Sequence, residues 1–353
     1  MRTAPAAVAV AVLWLLPLHG ADQATQRPKL PLDDPRRSAA ITLVQLVDAV
    51  SAGQMPGGDA WLRWHHHFLK APNGRVYVPF TLEIEEAGGG FESIIMYVRA
   101  VRRSDESLRP ADSSQSDDMY NGLLWAIQPT SPKYAFEGVD EIEITETQQG
   151  RHRIQRALIL RPGHHDIYIA VGERQPSGSP GGTKSRSTVL KESLTVPDFL
   201  GTGLRTSGII LAERVSSLPI PLLFSEQRGR PYALGSVEIV PAPDARFMRG
   251  EALSIVFFIY GARMKGNAPD VTVNWRFFRE TGVSETTHGQ MPPERFNTTI
   301  GRQGSLDQLL VSQAVPLDAF PAGAYRAQIE VTDHLARRTS TDEVRFTVSD
   351  ALP

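Results

Sequence analysis

The chain has 353 residues, a formal net charge of −2 and no cysteine, with 29 glycines and 26 prolines. Without thiols it can hold no disulfide, thiolate zinc centre, iron–sulfur cluster or cysteine nucleophile. Near-neutral charge speaks against a nucleic-acid partner, and a composition 41% hydrophobic and 22% charged fits a folded protein of about two domains.

Residues 1–21 read as a signal peptide. Arg2 gives the positive start, Ala4 to Leu18 is uncharged and apolar, Pro17 breaks the run, and the small residues Gly20 and Ala21 follow. The run is shorter than the ~20 residues a membrane span needs, so any membrane contact is through this segment alone. A periplasmic or secreted location follows. An exported chain without cysteine then has to rely on packed cores rather than disulfide staples.

Residues 22–60 read as a polar, proline-rich linker and one helix. Ile41, Val44, Val47 and Val50 recur at helical spacing beside Leu43 and Leu46, Asp34 or Ser38 can cap the start, and Gly53 can end it. From Trp61 the texture becomes short β-branched and aromatic runs between turn residues. Arg75 to Ile84 alternates with period two, as a half-buried strand must. Further strands are expected at 92–103, 123–127, 142–146, 154–160, 166–173 and 189–196. Residues 61–200 thus form a first β-sandwich, 201–230 a connector that includes a strand-like run at 206–215, and 231–353 a second sandwich of immunoglobulin-like size. The expected fold class is all-β: two antiparallel immunoglobulin-like β-sandwich domains with one short N-terminal helix.

The two blocks carry a weak internal repeat. Leu160-Arg161-Pro162-Gly163 precedes Tyr168, and Phe320-Pro321-Ala322-Gly323 precedes Tyr325. Glycine permits the tight turn, while the tyrosine ring packs and its hydroxyl can cap a loop. The stretches Thr188–Phe199, Tyr232–Pro241, Phe320–Tyr325 and Val331–Arg338 resemble segments of exported Acidobacteria-type bacterial proteins. Their β-sandwich domains are similar to those accompanying von Willebrand factor A-type or GWxTD-type domains. The resemblance implies a sandwich fold and transfers no catalytic residue.

The most conspicuous polar feature is His65-His66-His67. On a strand His65 and His67 share a face with Arg63, and two such imidazoles can chelate a divalent metal, although a structural zinc site wants about four ligands. His65 and His67 are therefore the candidate metal ligands. Asp244, Glu251, Asp333, Asp342 and Glu343 could gather around calcium at one sandwich end. The pairs Glu83/Glu85 and Glu141/Glu143 read as exposed strand faces, Arg151, Arg153 and Arg156 as a solvated basic cluster, and Trp275, Phe277 and Tyr325 as core. The sequence holds no Gly-x-Ser-x-Gly elbow, Walker loop or dinucleotide-binding glycine fingerprint, and it calls for no cofactor. The reading is an exported non-enzymatic β-sandwich protein for binding a protein or glycan partner, or for envelope assembly. The alternative is an exported hydrolase or carbohydrate-active protein with a site between the two domains.

Overall fold

The computed structural model describes residues 35–54, 62–85, 93–103, 134–144, 151–174, 186–201, 203–220, 222, 224–281, 284–296 and 308–350. The expected signal segment, the strand at 123–127 and the loops at 104–118 and 175–187, save Arg186 and Ser187, lie outside these residues. The chain divides into two units. One runs from Lys70 to Asp198 and includes the described residues before His67; the other runs from Phe199 onward and includes His67–Leu69.

In the first unit, helix α1 (Pro35–Ser51) ends where Gly53 takes a positive φ of 99° and Gln54 N–H bonds Ala49 O at 3.0 Å. One sheet has strand β3 (Val76–Glu85) at its centre, flanked by β1 (Leu62–His66) and β2 (Leu69–Lys70) on one edge and β6 (Arg151–Leu160) on the other. The second sheet orders β5 (Phe136–Glu143), β4 (Ser93–Arg102), β7 (Gly163–Arg174) and β8 (Ser187–Val196), all antiparallel. Val76, Val78, Phe80, Leu82 and Ile84 from β3 are buried, as are Ile94, Met96 and Val98 from β4. An Arg156–Asp140 ion pair of 2.7 Å joins β6 to β5 and ties these inner rows together across the sandwich. The outer face of the second sheet is buried too. Leu43, Val47 and Val50 of α1 pack on Ile95, Tyr97, Tyr168 and Ala170, which is why β4 reads as continuously apolar rather than alternating.

The second unit stacks two larger sheets. The first orders β11 (Ala233–Leu234), β12 (Val237–Pro241), β10 (Ile210–Ser217), β14 (Ala252–Tyr260) and β19 (Gln308–Pro316), with β9 (Arg205–Thr206) beside β14. The other orders β13 (Arg246–Met248), β21 (Arg338–Ser349), β20 (Gly323–Asp333), β17 (Val271–Thr281) and β18 (Ser284–Phe296). Their inner faces meet in one core where Leu253, Ile255, Phe257 and Ile259 oppose Val273, Trp275, Phe277, Ile329, Val331 and Phe346. The all-β, immunoglobulin-like sandwich class holds.

Three expectations need correction in detail. Residues 205–217, placed within a connector, supply β9 and β10, which pair with β14 and, in the latter half of β10, with β12 as strands of the second unit. One pair is parallel rather than antiparallel, β13 on β21. A strand missing from the sequence reading, β18, is polar and contains Pro292-Pro293, features that suit a sheet-terminal strand and hide it from period-two patterning.

The repeat is real at the level of register. In each unit a strand with an arginine at or near its end (Arg102 of β4, Arg279 of β17) pairs with the strand that opens on a positive-φ glycine. Gly163 has φ 124° and Gly323 φ 154°. The arginine guanidinium lies over the glycine and donates to the carbonyl before it: Arg102 to Pro162 O at 3.2 Å, Arg279 to Ala322 O at 2.8 Å. A Cβ at Gly323 would crowd Arg279 Nε at 3.1 Å, while one at Gly163 would rest against Arg102 at 3.5 Å, so there the positive φ is the constraint. The register also corrects the sequence alignment of the repeat. Tyr325 pairs opposite Arg279 and His165 opposite Arg102, so His165, not Tyr168, stands where Tyr325 stands. Tyr325 donates its hydroxyl to Pro321 O at 2.6 Å, the tyrosine corner of immunoglobulin-like sandwiches.

Candidate functional site

The densest polar arrangement lies on the outer face of the sheet centred on β3. Period-two alternation puts Arg63 and His65 of β1, Thr81, Glu83 and Glu85 of β3, and Arg151 and Arg153 of β6 on this face. Glu83, expected on an exposed face, is 1% exposed. Its carboxylate lies 3.0 Å from Arg153 Nε and 3.8 Å from His65 Nε2, the latter an ionic contact too long for a hydrogen bond. His65 first, and Arg153 after it, hold the Glu83 carboxyl at about 2 against the burial that would raise it. Glu85 accepts from Arg151 at 3.4 Å and lies 3.3 Å from Arg63. The face is a charge ladder that neutralises its own members. The basic cluster of the sequence reading is consumed in the same way, since Arg151, Arg153 and Arg156 each face a carboxylate.

His66 turns to the opposite face, as alternation requires, and stacks on Trp64 with ring centroids 4.4 Å apart. Burial, with the neighbouring His65 charge, lowers it to about 4. His67 leaves the strand, because β1 ends at His66, and its Nδ1 lies 2.9 Å from the Tyr232 hydroxyl. The structure thus places His65 against Glu83 and His67 against Tyr232. Among the described residues no three His, Asp or Glu side chains gather closely enough to hold a metal ion. The proposed calcium ligands are likewise dispersed. Asp333 accepts from the N–H groups of Leu335, Ala336 and Arg263, Glu251 from Met248 N–H, Asp244 from Arg246 N–H, Glu343 from Arg326 and Asp342 from Thr206.

A second cluster, which the sequence reading missed, sits at the end of the helix-covered sheet. Ser193 donates to Asp166 at 3.0 Å, Arg103 clamps Asp166 through Nε at 2.9 Å and a second nitrogen at 2.6 Å, and the same guanidinium reaches Ser193 Oγ at 2.9 Å. His164 Nδ1 lies 3.1 Å from Thr195 Oγ1 on the neighbouring row. The residue types are those of a hydrolase, but the roles do not assemble. Arg103, with Ser193 behind it, lowers the Asp166 carboxyl and makes it a poor base, and the imidazole addresses Thr195 rather than Ser193. Only cross-strand pairing brings these residues together, and nothing in their sequence spacing signals it.

No family model matches this chain. No curated protein matches it either. Among solved structures, trypsin-activated alpha-2-macroglobulin from Escherichia coli is similar over 84% of this chain at 12% identity and a TM-score of 0.22. This chain covers 17% of that one, and a likeness at that score carries no argument about fold or activity. The reading of function therefore rests on the polar groups themselves. His165, fully inside the first unit at 1% exposure, is lowered to about 4 by burial, with Nδ1 3.2 Å from Gly163 O. Tyr97 is raised by burial and by its bond to Glu137. Glu83 and Tyr97 join one strand to the next, while His66 and His165 are held by a neighbour on their own strand.

Proposed function

We propose that the chain is an exported, non-enzymatic β-sandwich protein that binds a protein or glycan partner or serves in envelope assembly. The observation that carries this reading is the disposition of the perturbed groups. Glu83, His66, His165 and Asp166 are each held by a neighbour within the sheets and do not converge on a common point. Immunoglobulin-like sandwiches spend their rigidity on presenting edges and loops, and this chain carries two such units. Export is supported by the leader-like residues 1–21, and no described helix is long and apolar enough to cross a membrane.

Fractionation of the native host, with mass mapping of the mature N-terminus, tests the location. The expected result is a chain in the periplasm or medium that begins near residue 21. The purified chain should turn over no ester, peptide or glycoside in a substrate panel. A cytoplasmic, untrimmed chain, or reproducible turnover, would overturn the proposal.

A further inference from the structure

Pro72, Asn73 and Gly74 form the turn between β2 and β3. Asn73 and Gly74 both take left-handed backbone, with φ 57° and φ 68°. Asparagine tolerates that region better than most L residues, and glycine enters it without strain. The turn is closed by Ala71 N–H to Arg75 O at 2.9 Å and by Arg75 N–H to Pro72 O at 3.2 Å. Asn73 is exposed, and its carboxamide has no hydrogen-bond partner among the described residues. The carboxamide is therefore free to rotate toward the nitrogen of the next residue, and that residue has no Cβ to shield the nitrogen.

The other described asparagines lack this combination. Asn274 lies in the interior of β17 and donates to Glu330 at 3.1 Å. Asn267 is exposed between Lys265 and Ala268, which pair with each other, and the Ala268 Cβ stands beside the nitrogen that would have to attack. Asn121-Gly122 repeats the dipeptide but lies outside the described residues, as does Asn297.

We propose that Asn73 is a self-modification site, at which the chain deamidates through Gly74 to aspartate and isoaspartate. The Gly74 backbone nitrogen attacks Asn73 Cγ. A C–N bond forms there, the Cγ–Nδ2 bond breaks, and Nδ2 leaves as ammonia with the proton that the Gly74 nitrogen gives up. The product is a cyclic succinimide, and water adds to one ring carbonyl or the other. Opening at Cγ leaves aspartate. Opening at the Asn73 main-chain carbonyl carbon leaves isoaspartate, with the main chain now running through Cγ. Water is the only co-reactant. Each event adds one negative charge to a chain of net charge −2. Isoaspartate also lengthens the turn by one backbone carbon, so the Ala71–Arg75 bond loses its phase and the short β2 loosens from β3. β3 keeps its ladders with β1 and β6. The turn thus records the age of the molecule.

The test stores the full chain in mildly alkaline buffer, folded and in parallel unfolded by urea. Peptides are then mapped with electron-transfer fragmentation, which tells isoaspartate from aspartate at each position. In the folded chain Asn73 should convert within about tenfold of its unfolded rate and at least about tenfold faster than Asn267. Conversion outside either bound would overturn the site. Amide exchange at Ala71 should quicken in the aged chain, while Asn73→Asp, which adds the charge without the extra carbon, keeps Ala71 protected. Equal exchange at Ala71 in the aged chain and in Asn73→Asp would overturn the loosening of β2. The rates are read on the unaltered chain, so they decide the matter even if Asn73→Asp is poorly folded. None of these outcomes depends on a binding partner.

Discussion

Two buried side chains show what single positions contribute. His165 and Tyr325 occupy the same place in the two repeats, one as a buried imidazole held near 4, the other as a phenol bonded to Pro321 O. Because the folded pKa of His165 lies below the usual histidine value of about 6.5, only the unfolded chain takes up its proton between those two values. Its contribution is complete above about pH 6.5 and is lost as pH falls to about 4, on the order of 2 kcal/mol. His66 titrates with the same sign. Denaturant melts across pH 7 to 4 should show this loss, and His165→Gln should reduce it to the share that His66 contributes. At the other corner, Tyr325→Phe should cost about 1 kcal/mol, read from the same melts, with no new pH dependence over this range. The sequence shows Tyr325 and the turn before it plainly. It hides Glu83, because a carboxylate between Leu82 and Ile84 in a period-two pattern looks solvent-facing until the arginines of β6 are paired beside it.

At the scale of elements, the glycine corners and the helix clamp carry separate predictions. Alanine at Gly163 or Gly323 must adopt a backbone that L residues avoid, and at Gly323 its Cβ would lie 3.1 Å from Arg279 Nε. Each substitution should destabilise the chain by about 1–3 kcal/mol. Comparable losses at both sites, measured by chemical denaturation, are what a shared corner requires. Helix α1 is fastened by Arg99, which is 3% exposed on β4, donates to Asp48 at 2.6 Å and to the Tyr97 hydroxyl at 2.7 Å, and lies 3.6 Å from Glu137. Arg99→Met leaves Glu137 without its cation and should cost about 3 kcal/mol, with faster exchange of α1 amides. Asp48→Ala, on the exposed side of the pair, should cost about 1 kcal/mol or less. The helix itself is legible from its apolar spacing and Gly53, but its buried stripe runs through Leu43, Val47 and Val50 and leaves Ile41 48% exposed. β18 is illegible for the opposite reason, because a terminal strand with two prolines and little apolar periodicity has no local signature.

For the whole molecule, composition and turn grammar are enough to reach the all-β class, because strands without intervening helices leave few layered alternatives. They do not reach the partition of residues 205–217 into the second unit, which depends on pairing with β14 far along the chain. Nor do they reveal that the polar clusters are cross-strand products. The scaffold reading and the hydrolase reading differ most sharply at His164, Asp166 and Ser193. Cross-linking of the full chain in the native envelope, followed by capture and quantitative mass spectrometry of wild type and of the triple variant His164→Ala, Asp166→Asn, Ser193→Ala, separates them. The account predicts an equimolar partner recovered equally by both. Recovery of no partner by either, with ester or glycoside turnover by wild type that the variant lacks, would contradict it.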